Sequence, residues 1–151
     1  MTPVAVLGDS ARELKVGIST PYLIPHTAIC DPELTLTCPQ RLTAFSGADA
    51  LTHAIEAFAA IRHPADPLLS HQRVFVGRNA FSDQFALEAI RAIFAFLPRA
   101  VEDGTDLEAR GMMMYGAVCA GLAFGAAGTA VAHAIRYPVG ALTHTPYGVP
   151  R

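Results

Sequence analysis

A chain of 151 residues has room for one domain, and a sequence that is 52% hydrophobic and 16% charged argues for a buried core over disorder. Eleven Lys and Arg face thirteen Asp and Glu for a net charge of −2, so the basic excess that nucleic-acid binding needs is missing. Three cysteines, Cys30, Cys38 and Cys119, include no Cys-x-x-Cys and leave an odd thiol, which suits a reducing compartment and excludes an all-thiolate metal site.

Residues 1–9 lack a basic stretch followed by a long apolar run and do not read as a signal peptide, so the cytoplasm is the expected compartment. The first forty residues differ in texture from the rest. Prolines at 21, 25, 32 and 39 and β-branched runs such as 27–30 predict one or two short strands with turns. From Arg41 onward the pattern is helical. A first helix is predicted over 42–60, with an interruption allowed near Ser46 and Gly47, followed by a polar loop over 62–80 punctuated by Pro64, Pro67, Gly77 and Asn79.

Ser82 is the predicted N-cap of a helix reaching 96, with Phe85, Leu87, Ile90, Ile93, Phe94 and Leu97 as its apolar face ahead of Pro98. Thr105 and Glu108 have capping-box spacing, which predicts a helix over 106–124. Residues 115–131 form the longest apolar stretch, long enough to span a membrane. Their glycines and alanines read better as a tightly packed buried helix pair broken near 125–128, where small residues let backbones approach. A last helix is predicted over 129–141, kinked or cut short by Pro138, which removes a backbone donor.

Chemistry concentrates at Asp49 and His53, four residues apart in an otherwise apolar helical segment. Positions i and i+4 share a helix face, so a carboxylate and an imidazole can converge there on one divalent ion, as iron(II), zinc or manganese would accept. His133 lies on a second small-residue helix, and His144 follows soon after. A hydrogen-bonded core histidine is the alternative for each ring. Glu56, three residues after His53, either orients that ring or pairs along the helix in solvent. His63 and His71 fall in the polar loop and are expected to face water, and the run of methionines at 112–114 reads as core filler.

In order and spacing, Lys15-Val16-Gly17-Ile18-Ser19-Thr20-Pro21, Asp31-Pro32-Glu33-Leu34-Thr35, residues 47–57, Asn79-Ala80-Phe81-Ser82-Asp83, Leu97-Pro98-Arg99-Ala100-Val101, Asp106-Leu107-Glu108-Ala109-Arg110 and residues 140–146 resemble the iron-containing alcohol dehydrogenases over nearly the whole chain. The resemblance implies a mainly α fold. Residues 1–40 would be the β-containing tail of an α/β dinucleotide-binding domain, and 41–151 part of a helical-bundle metal-binding domain. It further implies a divalent metal, iron(II) or zinc, together with NAD or NADP, a small alcohol or carbonyl substrate, no nucleic-acid or membrane partner, and compatibility with a homodimer of the full-length enzyme. The family's metal is held by one aspartate and three histidines, which match Asp49, His53 and His133 for the first three; Tyr147 stands where the third histidine falls. Lys15 matches a lysine that contacts the nicotinamide cofactor.

Tyr147 departs from the pattern, because a phenol with a pKa near 10 is a poor ligand at neutral pH. Family members bind the dinucleotide through glycine-rich turns, and the chain holds no Gly-x-Gly-x-x-Gly. It therefore reads as a piece of a longer metal-dependent dehydrogenase, expected to be inactive alone. Three other readings stay open: a metal-independent reductase similar to the maleylacetate reductases, a relative of the hydroxyacid-oxoacid transhydrogenases, and a non-catalytic helical module.

Overall fold

The computed structural model describes residues 2–9 and 14–143. Strands β1 (Val4–Asp9) and β2 (Leu14–Ser19) form an antiparallel pair, with Val4 opposite Ser19 and Gly8 opposite Lys15. The 27–30 run is neither helix nor strand. Short 3-10 turns at Pro21–Leu23 and Pro32–Thr35 flank it, each with proline in its first turn and each opened by a side chain: Thr20 accepts from the Tyr22 N–H and Asp31 from the Glu33 N–H. The prolines thus build turns where the composition suggested strand.

The rest is helical: α1 (Gln40–Ala59), the single turn α2 (Leu69–Gln72), α3 (Ala80–Glu102), α4 (Leu107–Ala127) and α5 (Val131–Thr143). Helix α1 runs unbroken through Gly47, where the Leu97 and Met113 side chains crowd the backbone. Helix α3 starts one turn earlier than expected, because Asn79 is its N-cap. The Asn79 side chain accepts from the Ser82 N–H and the Ser82 hydroxyl accepts from the Asn79 N–H, a reciprocal box that places Ser82 at the third helical position. The helix also passes through Pro98 to Glu102; Ala100 is fully buried there, and Arg99 is clamped to Asp106 and Glu108. Packing outweighs the missing donor.

Asp106, and not Thr105, caps α4: its carboxylate accepts from the Ala109 N–H, while the Thr105 hydroxyl is spent donating to Asp103. Helix α4 continues to Ala127 and stops at Gly128, whose φ of 88° favours glycine and where a β-carbon would stand 3.1 Å from Cγ of Phe75. Pro138 does not end α5, which extends to Thr143. Among the described residues no helix is long and apolar enough to cross a membrane.

Helices α1, α3 and α4 pack on one another around alanines: Ala54, Ala57, Ala86, Ala89, Ala120 and Ala123 are buried, with Ile93 the largest fully buried side chain. The buried stripe of α3 runs through 86, 89, 93 and 100, so Phe94 is turned about 100° away from Ile93 and is 77% exposed, contrary to its expected place in the apolar face. At Gly116 a β-carbon would stand 2.6 Å from Cγ1 of Ile93, a stiff and fully buried side chain.

Gly116→Ala is therefore expected to lower stability by about 1–2 kcal/mol, overpacking exceeding the gain in helix propensity. Gly111→Ala on the same helix meets nothing nearer than the Pro32 Cγ at 3.9 Å and is expected to raise stability by up to about 1 kcal/mol. Urea unfolding of the two variants beside the parent checks the opposite signs.

Candidate metal centre

Helix α1 places Asp49, His53 and Glu56 at i, i+4 and i+7, one stripe along its surface. That stripe meets the first turn of α5, which supplies His133. The Nδ1 of His53 lies 3.7 Å from one Asp49 oxygen and the Nε2 of His133 lies 3.7 Å from the other. One donor atom from each of the three residues falls within 4.8 Å of the others, close to what bonds of about 2.0–2.2 Å to a shared ion require. The His53 ring also stacks on His133, centroids 4.2 Å apart, and on Phe124, centroids 4.4 Å apart.

Glu56 is the surprise of the site. It orients a ring, but the ring is that of His133 on another helix and not that of His53 on its own. One carboxylate oxygen accepts from the Ala132 and His133 backbone N–H groups at 2.7 and 3.2 Å, and the other is hydrogen-bonded to Nδ1 of His133. Burial by itself would push the Glu56 carboxyl up; the His133 ring and backbone donors outweigh it and hold the group below the usual carboxylate range. As an ionised acceptor, Glu56 calls for the His133 proton on Nδ1 and turns Nε2 toward Asp49; in the neutral ring that nitrogen carries the lone pair.

That Nε2 is buried and has no hydrogen-bond partner among the described residues. A polar atom so placed costs about 1–3 kcal/mol in lost hydration, and a cation beside Asp49 would remove the cost. His53 is equally ready to donate. Burial first, then the nearness of His133, push its ring below the ordinary imidazole value against the pull of Asp49, so it is neutral at neutral pH with a free lone pair. The donor set of one carboxylate and two imidazoles therefore fits a divalent transition ion.

The structure thus brings together Asp49, His53 and His133. Lys15 stands on β2 opposite Gly8, and its side chain lies outside what is described. Tyr147 and His144 also lie outside the described residues. Exposed His71 faces water as expected, whereas His63 is half-buried, its ring pressed on Gly77. Met113 packs against the core cluster, in keeping with a filler role. The stacking of Phe124 on His53 was not anticipated, since nothing in sequence spacing links residues so far apart.

Residues 43–150 match the family described as "Fe-containing alcohol dehydrogenase family, C-terminal". Similar proteins include the NAD-dependent methanol dehydrogenase of Bacillus methanolicus, 37% identical over 98% of this chain and 35% of that protein. A solved sulfoacetaldehyde reductase from Bifidobacterium kashiwanohense in complex with NAD+ superimposes with a TM-score of 0.82 at 33% identity, over 97% of this chain and 35% of that one. Maleylacetate reductase from Agrobacterium tumefaciens gives 0.80 at 28% identity, over 97% and 37%. The chain spans about a third of the length of the proteins it matches.

Removing the Glu56 carboxylate is expected to free the start of α5 at a cost of about 3–5 kcal/mol, the penalty for stripping one partner from a buried charged cluster. In Glu56→Ala the amides of Ala132 and His133 should exchange with deuterium far faster than in the parent while those of α3 and α4 hold their protection; unchanged exchange at Ala132 would count against the contact.

Proposed function

This chain belongs to the iron-containing alcohol dehydrogenase family, and from that premise we propose that it forms the metal-holding part of an oxidoreductase moving hydride between an alcohol and an aldehyde or ketone, with a nicotinamide cofactor. In this reading residues 1–40 go with the cofactor-binding domain and 41–151 with the helical metal-binding domain. Asp49, His53 and His133 would hold a divalent cation, iron(II) or zinc. The observation that supports this most is the buried Nε2 of His133, without a partner among the described residues, whose opposite nitrogen is already committed to Glu56.

Bound there, the cation supplies Lewis acidity toward the substrate oxygen. The chain's own residues do the rest. Asp49 provides the anionic donor, His53 stays deprotonated because it is buried, and Glu56 fixes which nitrogen of His133 faces the ion. Phe124, stacked on His53, holds that ring in place and offers an apolar wall against water. Lys15 is proposed to contact the nicotinamide cofactor and Tyr147 to occupy the fourth ligand position, weakly, because its phenol keeps its proton at neutral pH. The 151 residues by themselves are proposed not to turn over, since no glycine-rich turn of the kind that cradles a dinucleotide occurs among them.

A second reading is favoured by Tyr147 together with the likeness to maleylacetate reductase: reduction on the same fold without a metal. Metal content separates the two. Titrated with cobalt(II), the purified chain is expected to take up one equivalent with absorption typical of nitrogen and oxygen ligands. His133→Asn or Asp49→Asn should weaken uptake by well over about tenfold, Glu56→Gln by about tenfold, and Tyr147→His should tighten it. Cobalt affinity indifferent to Asp49 and His133 would sink the metal reading, and circular dichroism of each variant guards against simple unfolding.

A further inference from the structure

A concavity of about 630 Å³, within the range of about 300–1,000 Å³ typical of small-molecule sites, lies between the C-terminal ends of α1 and α4 and the excursion formed by 61–77. Its walls are largely apolar, with Ile61, Val74 and Phe75 prominent, and its lining includes His63 and Arg73 but no acid. Arg73 is unusual among the arginines. Arg62 and Arg78 are paired with Asp83, Arg99 with Asp106 and Glu108, and Arg110 is hydrogen-bonded to Thr43, whereas the Arg73 guanidinium meets no partner among the described residues.

His63 is placed by a backbone that only glycine tolerates. Gly77 holds a φ of 86°, and the His63 Cδ2 stands 2.7 Å from where a β-carbon would be. Neither ring nitrogen of His63 has a hydrogen-bond partner among the described residues. The excursion is pinned by Val76 donating to the Ala126 carbonyl and Arg78 to that of Ile61. The first of these bonds occupies a helix-end carbonyl that would otherwise repel a negative group. Thr129 and Ala130 form the remaining wall and lead into the first turn of α5, with Ala130 roughly 5 Å along the helix axis from His133.

We infer that this cavity receives the carboxylate of a small organic acid, paired with Arg73 and hydrogen-bonded by His63. The carbon chain then lies along Thr129 and Ala130 toward the Asp49, His53 and His133 cluster. The inference rests on the reading above for its consequence, that the substrate is a hydroxy- or oxo-acid and not a plain alcohol; the binding itself does not. Apolar walls favour a carboxylate on an aliphatic chain over a free or cofactor-borne phosphate.

The test is a nuclear magnetic resonance titration of the intact 151-residue chain with butyrate, 1-butanol and inorganic phosphate, following the amides of Val74, Thr129 and Ala130, with cobalt(II) uptake measured in parallel. Butyrate is expected to shift these amides and to bind more tightly than either butanol or phosphate. Arg73→Gln should weaken butyrate by about fivefold, the most that a partly exposed ion pair supplies, with Arg73→Lys recovering part of the loss. Because Arg73 makes no hydrogen bond or ion pair among the described residues, its replacement should leave the fold and cobalt uptake intact. Butanol or phosphate binding as well as butyrate, or butyrate binding unchanged in Arg73→Gln, would overturn the inference. Butyrate binding without cobalt uptake would strike the metal reading alone, and cobalt uptake without butyrate binding the cavity inference alone.

Discussion

Burying the Glu56 carboxylate costs several kcal/mol of lost hydration unless its oxygens find donors. The donors it meets are two backbone N–H groups at the start of α5 and the His133 ring. A helix N-terminus is a favourable place for a carboxylate, because its first N–H groups lack intrahelical partners and its dipole points positive. One side chain therefore does two jobs. It ties α5 to α1, which otherwise share little surface, and it selects the tautomer of the ring that faces Asp49.

For this tie to aim His133 at Asp49, α1 must be stiff, and the small-residue core provides that. Ala54 and Ala57 lie on the side of α1 packed into the core, and Gly47 lets Leu97 and Met113 close against its first half. Helix α4, brought near by Gly116 and Ala120, delivers Phe124 to the His53 ring. Aromatic or branched residues at these positions would push the axes apart and spread the three donors.

Helix content and the Asp49–His53 pair were legible in the sequence because both are local. Amphipathic spacing and the i, i+4 rule act within a few residues, and the match of α1, α4 and α5 to the predicted spans to within a few positions follows from that. Pairings across distance were not legible. Spacing set Glu56 beside His53, while in space its hydrogen bonds go to residues 76 and 77 positions further on. The caps fall a turn away in α3 and one residue away in α4 from where spacing puts them, for the same reason: Asn79 and Ser82, or Thr105 and Asp106, are all competent caps, and which one serves depends on a neighbour such as Asp103 claiming the Thr105 hydroxyl. Pro98 was a sound local stop overridden by the burial of Ala100.

Charge balance gives an independent reason for a divalent ion at this place. Two imidazolium rings stacked at 4.2 Å would repel one another by about 4 kcal/mol at the effective dielectric of a protein surface. Protonating both rings together is therefore unfavourable, while the carboxyl groups of Asp49 and Glu56 bring up to two negative charges into the same partly buried cluster. Protons on the imidazoles can compensate that charge only at the expense of ring–ring repulsion. A single dication set between Asp49 and the two facing nitrogens compensates it without that repulsion, and it satisfies the stranded Nε2 in the same step.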